Sequence, residues 1–170
     1  MTSKALVLVD FENEWIDKNS DYFIGDISGV IERTNELIDF CRQNKYKIIF
    51  TTHVEKSGSA FTSKSKNVEV IKQLHKNSKD VVVIKNKISP FYKTKLEKEL
   101  NGIRKIVIAG ILTNLCVRSL AQDAYDRDYK ITIIDDCCVA MDKKTHEFTL
   151  KDLKATREEI EIMNAREFIV

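Results

Sequence analysis

Five short runs of Val, Ile, Leu and Ala stand out from an otherwise mixed sequence, at residues 5–9, 47–51, 81–84, 105–109 and 130–134. They show little alternation of apolar and polar positions. That is the pattern of strands covered on both faces, as in a parallel sheet. A weaker sixth run lies at 159–163 or 167–170. Between the runs, apolar residues recur at helical spacing. Val30, Ile31, Thr34, Leu37, Ile38 and Cys41 form one such series, and Cys116, Leu120 and Ala124 with Val117, Ala121 and Tyr125 form another. Leu96 and Leu100 mark a short helix, and Leu150, Leu153 and Ile160 a longer one. Strands alternating with helices predict an α/β fold, an open sheet with helices on both faces. The Ser- and Lys-rich stretch 56–66 is too polar for core and predicts a mobile loop. It follows the second strand, at the sheet edge where α/β proteins bind ligands.

Composition narrows the class. The chain has 170 residues, which predicts one domain spanning 1–170. One proline and five glycines favour long regular elements over a turn-rich β-sandwich. Lys and Arg total 28 against 26 Asp and Glu, with the signs interspersed, so nucleic acid and anionic membranes are not expected partners. No apolar run approaches the roughly 18–20 residues that span a bilayer. The first residues do not read as a signal peptide, which predicts a cytoplasmic protein. The four cysteines, Cys41, Cys116, Cys137 and Cys138, lack CxxC spacing and read as free thiols.

Three residues carry candidate chemistry. Asp10 follows the first strand run, Lys85 the third, and Cys116 lies shortly after the fourth, in the first turn of the next helix. Strand ends of a parallel sheet share one edge, so a carboxylate, an ammonium and a thiol would converge there. The helix end and the lysine charge would lower the thiol pKa, and the aspartate would shuttle its proton. On spacing alone, Cys116 reads equally well as a small buried residue of an apolar helix face.

The local strings add to this. Ala109-Gly-Ile-Leu-Thr-Asn-Leu-Cys-Val117 resembles the nucleophile motif of the isochorismatase-like cysteine hydrolases, a superfamily that includes nicotinamidases and N-carbamoylsarcosine amidases. The resemblance takes in Leu8-Val-Asp10 with Trp15, Lys85 with Ser89-Pro-Phe91, Ala121, Asp123, the strand ending Asp135-Asp-Cys, and His146. It covers nearly the whole chain in order. It implies a three-layer α/β/α fold with a mainly parallel sheet ordered 3-2-1-4-5-6. It further implies a catalytic triad of Asp10, Lys85 and Cys116, cleaving a small amide, imide or carbamoyl compound through a thioester. The family places a non-proline cis peptide at what is here Ile111–Leu112, with an oxyanion hole from the backbone N–H groups of Leu112 and Cys116. Trp15 matches a pocket aromatic of the family, and Phe61, Phe91 and His53 are candidates for the same pocket. A homo-oligomer, dimer or tetramer, is implied, and no cofactor.

The departures are informative. Glu12 stands where the family often has Gln. It is read either as an extra carboxylate perturbing Asp10 or as a solvated loop residue. Pro90 replaces the family's Ala. Nicotinamidases carry an Asp-x-His metal motif after the second strand, where this chain has His53 and Glu55. One His and one Glu are too few for a metal site, so none is expected. Cys137 and Cys138 read as strand-end packing, Cys41 as helix core, His75 as surface, and His146 as structural. Two other functions fit the fold. One is a non-catalytic binding or regulatory protein. The other is vinyl ether cleavage of the isochorismatase type, whose enzymes generally lack the cysteine.

Overall fold

A computed structural model describes residues 3–58 and 60–170. Six parallel strands form one sheet in the order β3-β2-β1-β4-β5-β6. They are β1 (Lys4–Val9), β2 (Lys47–His53), β3 (Val81–Lys85), β4 (Lys105–Ile111), β5 (Lys130–Val139) and β6 (Glu161–Met163). The helices are α1 (Ser28–Gln43), α2 (Leu96–Glu99), α3 (Arg118–Tyr125), α4 (Lys143–Thr156) and α5 (Ala165–Ile169).

The three layers follow from side-chain alternation along β1. Ala5, Val7 and Val9 point into a core shared with Leu96, Leu100, Leu120, Ala121 and Leu153. Leu6 and Leu8 point the opposite way, onto Ile31, Leu37, Ile38 and Cys41 of α1 and Ala165 of α5. A central strand that is apolar on both faces therefore reads as a continuous run. All five of those β1 side chains are fully buried, and the four larger ones, Leu6, Val7, Leu8 and Val9, contribute roughly 1.5–3 kcal/mol each.

Local chemistry sets the ends of the helices. Asp142 caps α4 by accepting from the Thr145 N–H at 2.9 Å. Asn164 and Glu167 form a reciprocal capping box on α5. That box resolves the last run of the sequence: β6 lies at Glu161–Met163, and the stretch at 167–170 belongs to α5 and the residue beyond it. The helical series through Leu150 and Leu153 stops at Thr156, so Ile160 is not on that helix. It sits in the turn before β6, buried in the core. Strand β5 runs five residues beyond the expected apolar stretch, past a register shift against β4 between Ile108 and Gly110. No helix among the described residues is long and apolar enough to cross a membrane.

Candidate active site

The strand order reverses at β1 and β4, and the residues that follow these strands meet there. In register, Val9 pairs with both Thr51 and Gly110, and His53 pairs with Lys85. This brings Asp10, His53, Lys85 and the segment after β4 to one edge.

Asp10 adopts a left-handed backbone conformation (φ 50°) and is held on several sides. Its N–H donates to Thr51 O at 3.1 Å, and its Oδ1 accepts from Thr51 Oγ1 at 2.6 Å. The Trp15 indole N–H donates to its carbonyl at 2.9 Å. The side chain is 1% exposed and its Oδ2 lies 2.7 Å from Lys85 Nζ. Lys85, equally buried, also reaches Cys116 Sγ at 3.3 Å, Lys87 O at 3.1 Å and His53 Nδ1 at 3.2 Å. Burial opposes the lysine charge, but Asp10 and Cys116 outweigh it and the ammonium is held above its ordinary range.

Cys116 lies in a π-helical turn, Thr113–Val117, which leads into α3. The chain enters this turn through a cis peptide at Ile111–Leu112, and Leu112 O accepts from the N–H groups of Leu115 and Val117. Gly110 precedes it with φ 150°, and a Cβ there would lie 2.3 Å from Val9 O, so only glycine fits. Thr113 Oγ1 and His146 Nδ1 are hydrogen-bonded at 2.9 Å, tying the turn to α4.

The expected lowering of the Cys116 thiol does not occur. Burial, followed by the Asp10 charge, pushes it up to about 12, and Lys85 offsets only part of this. The thiol also hydrogen-bonds the Asp10 carboxylate, which favours the S–H form. Cys116 therefore rests as a thiol, with the Asp10 carboxylate and the Lys85 ammonium in contact with it. Cys41 and Cys137 are raised to about 12 by burial alone or mainly by burial, and Cys138 is raised as well.

Glu12 is not a solvated loop residue. It is fully buried; its Oε2 accepts from the His53 N–H at 3.1 Å, and its Oε1 has no hydrogen-bond partner. Burial first, and Asp10 second, raise its carboxyl to about 10. A neutral Glu12 thus acts as an uncharged acceptor, as an amide would.

A cavity of about 490 Å³ opens above Asp10 and Cys116. Trp15, Tyr22, Phe61, Ile88 and Leu115 form its apolar wall, and His53 and Glu55 its polar side. Trp15, Tyr22 and Phe61 pack as a trio, with ring centroids 5.0–6.1 Å apart. Phe61 is buried despite its polar surroundings in sequence, anchored where Glu55 and Thr62 bridge. Phe91 is not brought into this cavity. It packs in the opposite core, stacked on Tyr129 and under the Arg127 guanidinium, 4.3 Å from its ring. Tyr22 and Ile88 lie in connecting segments without periodicity, and Leu115 lies beside Cys116 in the π-helical turn, so no apolar pattern pointed to them as pocket residues. A groove of about 540 Å³ beside the start of α1 has no cysteine or histidine among its described lining residues.

The His53 ring is fixed by its neighbours. An ammonium can only donate, so Nδ1 accepts from Lys85, and Nε2 carries the hydrogen that Glu55 Oε1 accepts at 2.6 Å. Among the described residues, no three His, Cys, Asp or Glu side chains group as metal ligands.

With this geometry in hand, similarity to known proteins is decisive. The Isochorismatase domain model matches residues 4–163. The chain belongs to the isochorismatase family of hydrolases. It is 25% identical over 165 residues to Nicotinamidase 3 of Arabidopsis thaliana, covering 88% of this chain and 79% of that protein. It is 30% identical over 159 residues to the uncharacterized isochorismatase family protein YaaI of Bacillus subtilis, covering 86% of each. The fold matches the crystal structure of a cysteine hydrolase from Pseudomonas syringae with a TM-score of 0.91 at 21% identity, covering 98% of this chain and 91% of that one.

Proposed function

We propose that this hydrolase cleaves a small amide, imide or carbamoyl compound, with Cys116 as nucleophile, Asp10 as proton carrier and Lys85 as the charge that holds them. The observation that carries the reading is Lys85 Nζ lying 2.7 Å from Asp10 Oδ2 and 3.3 Å from Cys116 Sγ at the floor of an apolar cavity. Such a lysine keeps Asp10 ionised and stabilises sulfur as its proton leaves.

The steps follow. Cys116 Sγ bonds to the carbonyl carbon while its proton passes to Asp10. The oxyanion faces the Leu112 and Cys116 backbone N–H groups. The C–N bond breaks, Asp10 protonates the leaving amine, and a thioester remains. Water then attacks, giving its proton to Asp10. The C–S bond breaks, the acid leaves, and the proton returns to the sulfur. The raised thiol suits this sequence, because the proton moves only once a carbonyl is in place.

The test is a turnover screen of small amides with the wild type and Cys116→Ala in parallel. Turnover lost in Cys116→Ala supports the covalent reading. Turnover that survives the substitution removes it, and an inactive wild type favours a binding role.

A further inference from the structure

The cavity has a polarity that the reaction does not use. Its reactive end is neutral overall, because Lys85 balances Asp10. Its wall is apolar and includes no lysine or arginine among the described lining residues. The remaining charged group is Glu55, whose side chain is 46% exposed at the rim. His53 offers Glu55 one ring N–H at 2.6 Å, and its other ring nitrogen is turned to the Lys85 ammonium at 3.2 Å. Lys56 and Lys93 border a neighbouring groove with Glu55 rather than this cavity.

We propose that Glu55 selects the substrate by charge: the cavity takes a compact apolar or aromatic acyl group bearing a cation at the end remote from the amide, and it rejects an acyl group bearing a carboxylate there. The orientation of the bound amide rests on the amidase reading. Apolar contacts with Trp15, Tyr22 and Phe61 hold the body of the acyl group, and Glu55 reads its far end. An ion pair at a half-exposed rim is a modest contribution, so the expected discrimination is about fivefold per charge step.

The experiment uses three benzamides of similar size, with a para aminomethyl, methyl or carboxylate group. Trp15 is the only tryptophan of the chain and lines the cavity, so its fluorescence reports binding without turnover. Each compound is titrated into Cys116→Ala and into Cys116→Ala with Glu55→Gln. The glutamine keeps an acceptor for His53. In Cys116→Ala the cationic amide should bind about fivefold more tightly than the neutral one, and the anionic amide about fivefold more weakly. With Glu55→Gln the three should fall within about twofold of one another. Charge preference that persists in Glu55→Gln, equal binding of all three, or no binding at all overturns the proposal. Wild-type turnover of the same amides reads the amidase reading separately: binding with charge preference but no hydrolysis rejects the chemistry and keeps the selectivity.

Discussion

Replacing Glu12 by glutamine should make the protein less sensitive to alkaline pH. The carboxyl is raised from 4.5 to about 10 by burial and by Asp10. Between those values the folded chain keeps a proton on Glu12 and the unfolded chain does not. Stability from this group is fully present below pH 4.5 and is lost as pH rises toward 10. One proton released on unfolding costs about 1.4 kcal/mol of stability per pH unit. From pH 6 to 8 the wild type should therefore lose about 3 kcal/mol relative to Glu12→Gln, whose side chain does not titrate. For a chain of this length that is about 6–11 °C in Tm. Glutamine also preserves the acceptor for the His53 N–H, so activity should persist. The assay is urea unfolding of both proteins at pH 6, 7 and 8, with the difference between them plotted against pH. Other titrating groups cancel in that difference. Parallel stability curves across the range would refute a protonated Glu12 and leave its burial without a physical explanation.

Three further outcomes are expected. Asp10→Asn should lower kcat/KM by about 10²-fold or more, since asparagine cannot carry the proton. Lys85→Met should do likewise, and a double-mutant cycle should be far from additive because both act through one proton transfer; additive losses would separate the two residues. Limiting iodoacetamide should label Cys116 ahead of Cys41, Cys137 and Cys138, which are all buried, and the rate should keep rising through pH 9 because the thiol lies near 12; peptide mapping checks the order. Gly110→Ala should cost about 3 kcal/mol or more in urea unfolding, because its Cβ would meet the Val9 backbone, which cannot move aside.

The sheet was legible because its strands are buried on both faces and so read as unbroken runs. Asp10, Lys85 and Cys116 were legible as a group because parallel strands end on one edge. What stayed hidden depends on tertiary placement. Phe61 sits in a polar stretch yet is drawn into an aromatic trio, whereas Phe91, in a motif that resembles the family's, turns into the opposite core onto Tyr129. Ile160 continues a helical spacing that the chain abandons at Thr156. The direction of the Cys116 shift was also hidden. Sequence shows a lysine nearby, but burial and the hydrogen bond to Asp10 appear only once the chain is folded.

Among the described residues at the buried floor of the cavity, Asp10 and Lys85 form the one ion pair. Asp10 and Lys85 face each other with almost no solvent contact, and a buried pair of this kind is tolerable only if its remaining valences are satisfied. Thr51 takes the free side of Asp10, and the three N–H donors of Lys85 are shared among Asp10, His53, Lys87 and Cys116. A second carboxylate at Glu12 would unbalance this centre if it were ionised. Burial keeps it protonated and its place beside Asp10 reinforces that state, so it acts as a neutral acceptor for the His53 backbone. A thiolate at Cys116 would likewise add an uncompensated buried charge, and the thiol stays protonated. In the proposed mechanism negative charge builds on the sulfur only as its proton moves onto Asp10, which leaves Lys85 facing the sulfur in place of the carboxylate. The total charge is unchanged by that transfer, so the low-dielectric floor of the cavity imposes no new burial cost on it.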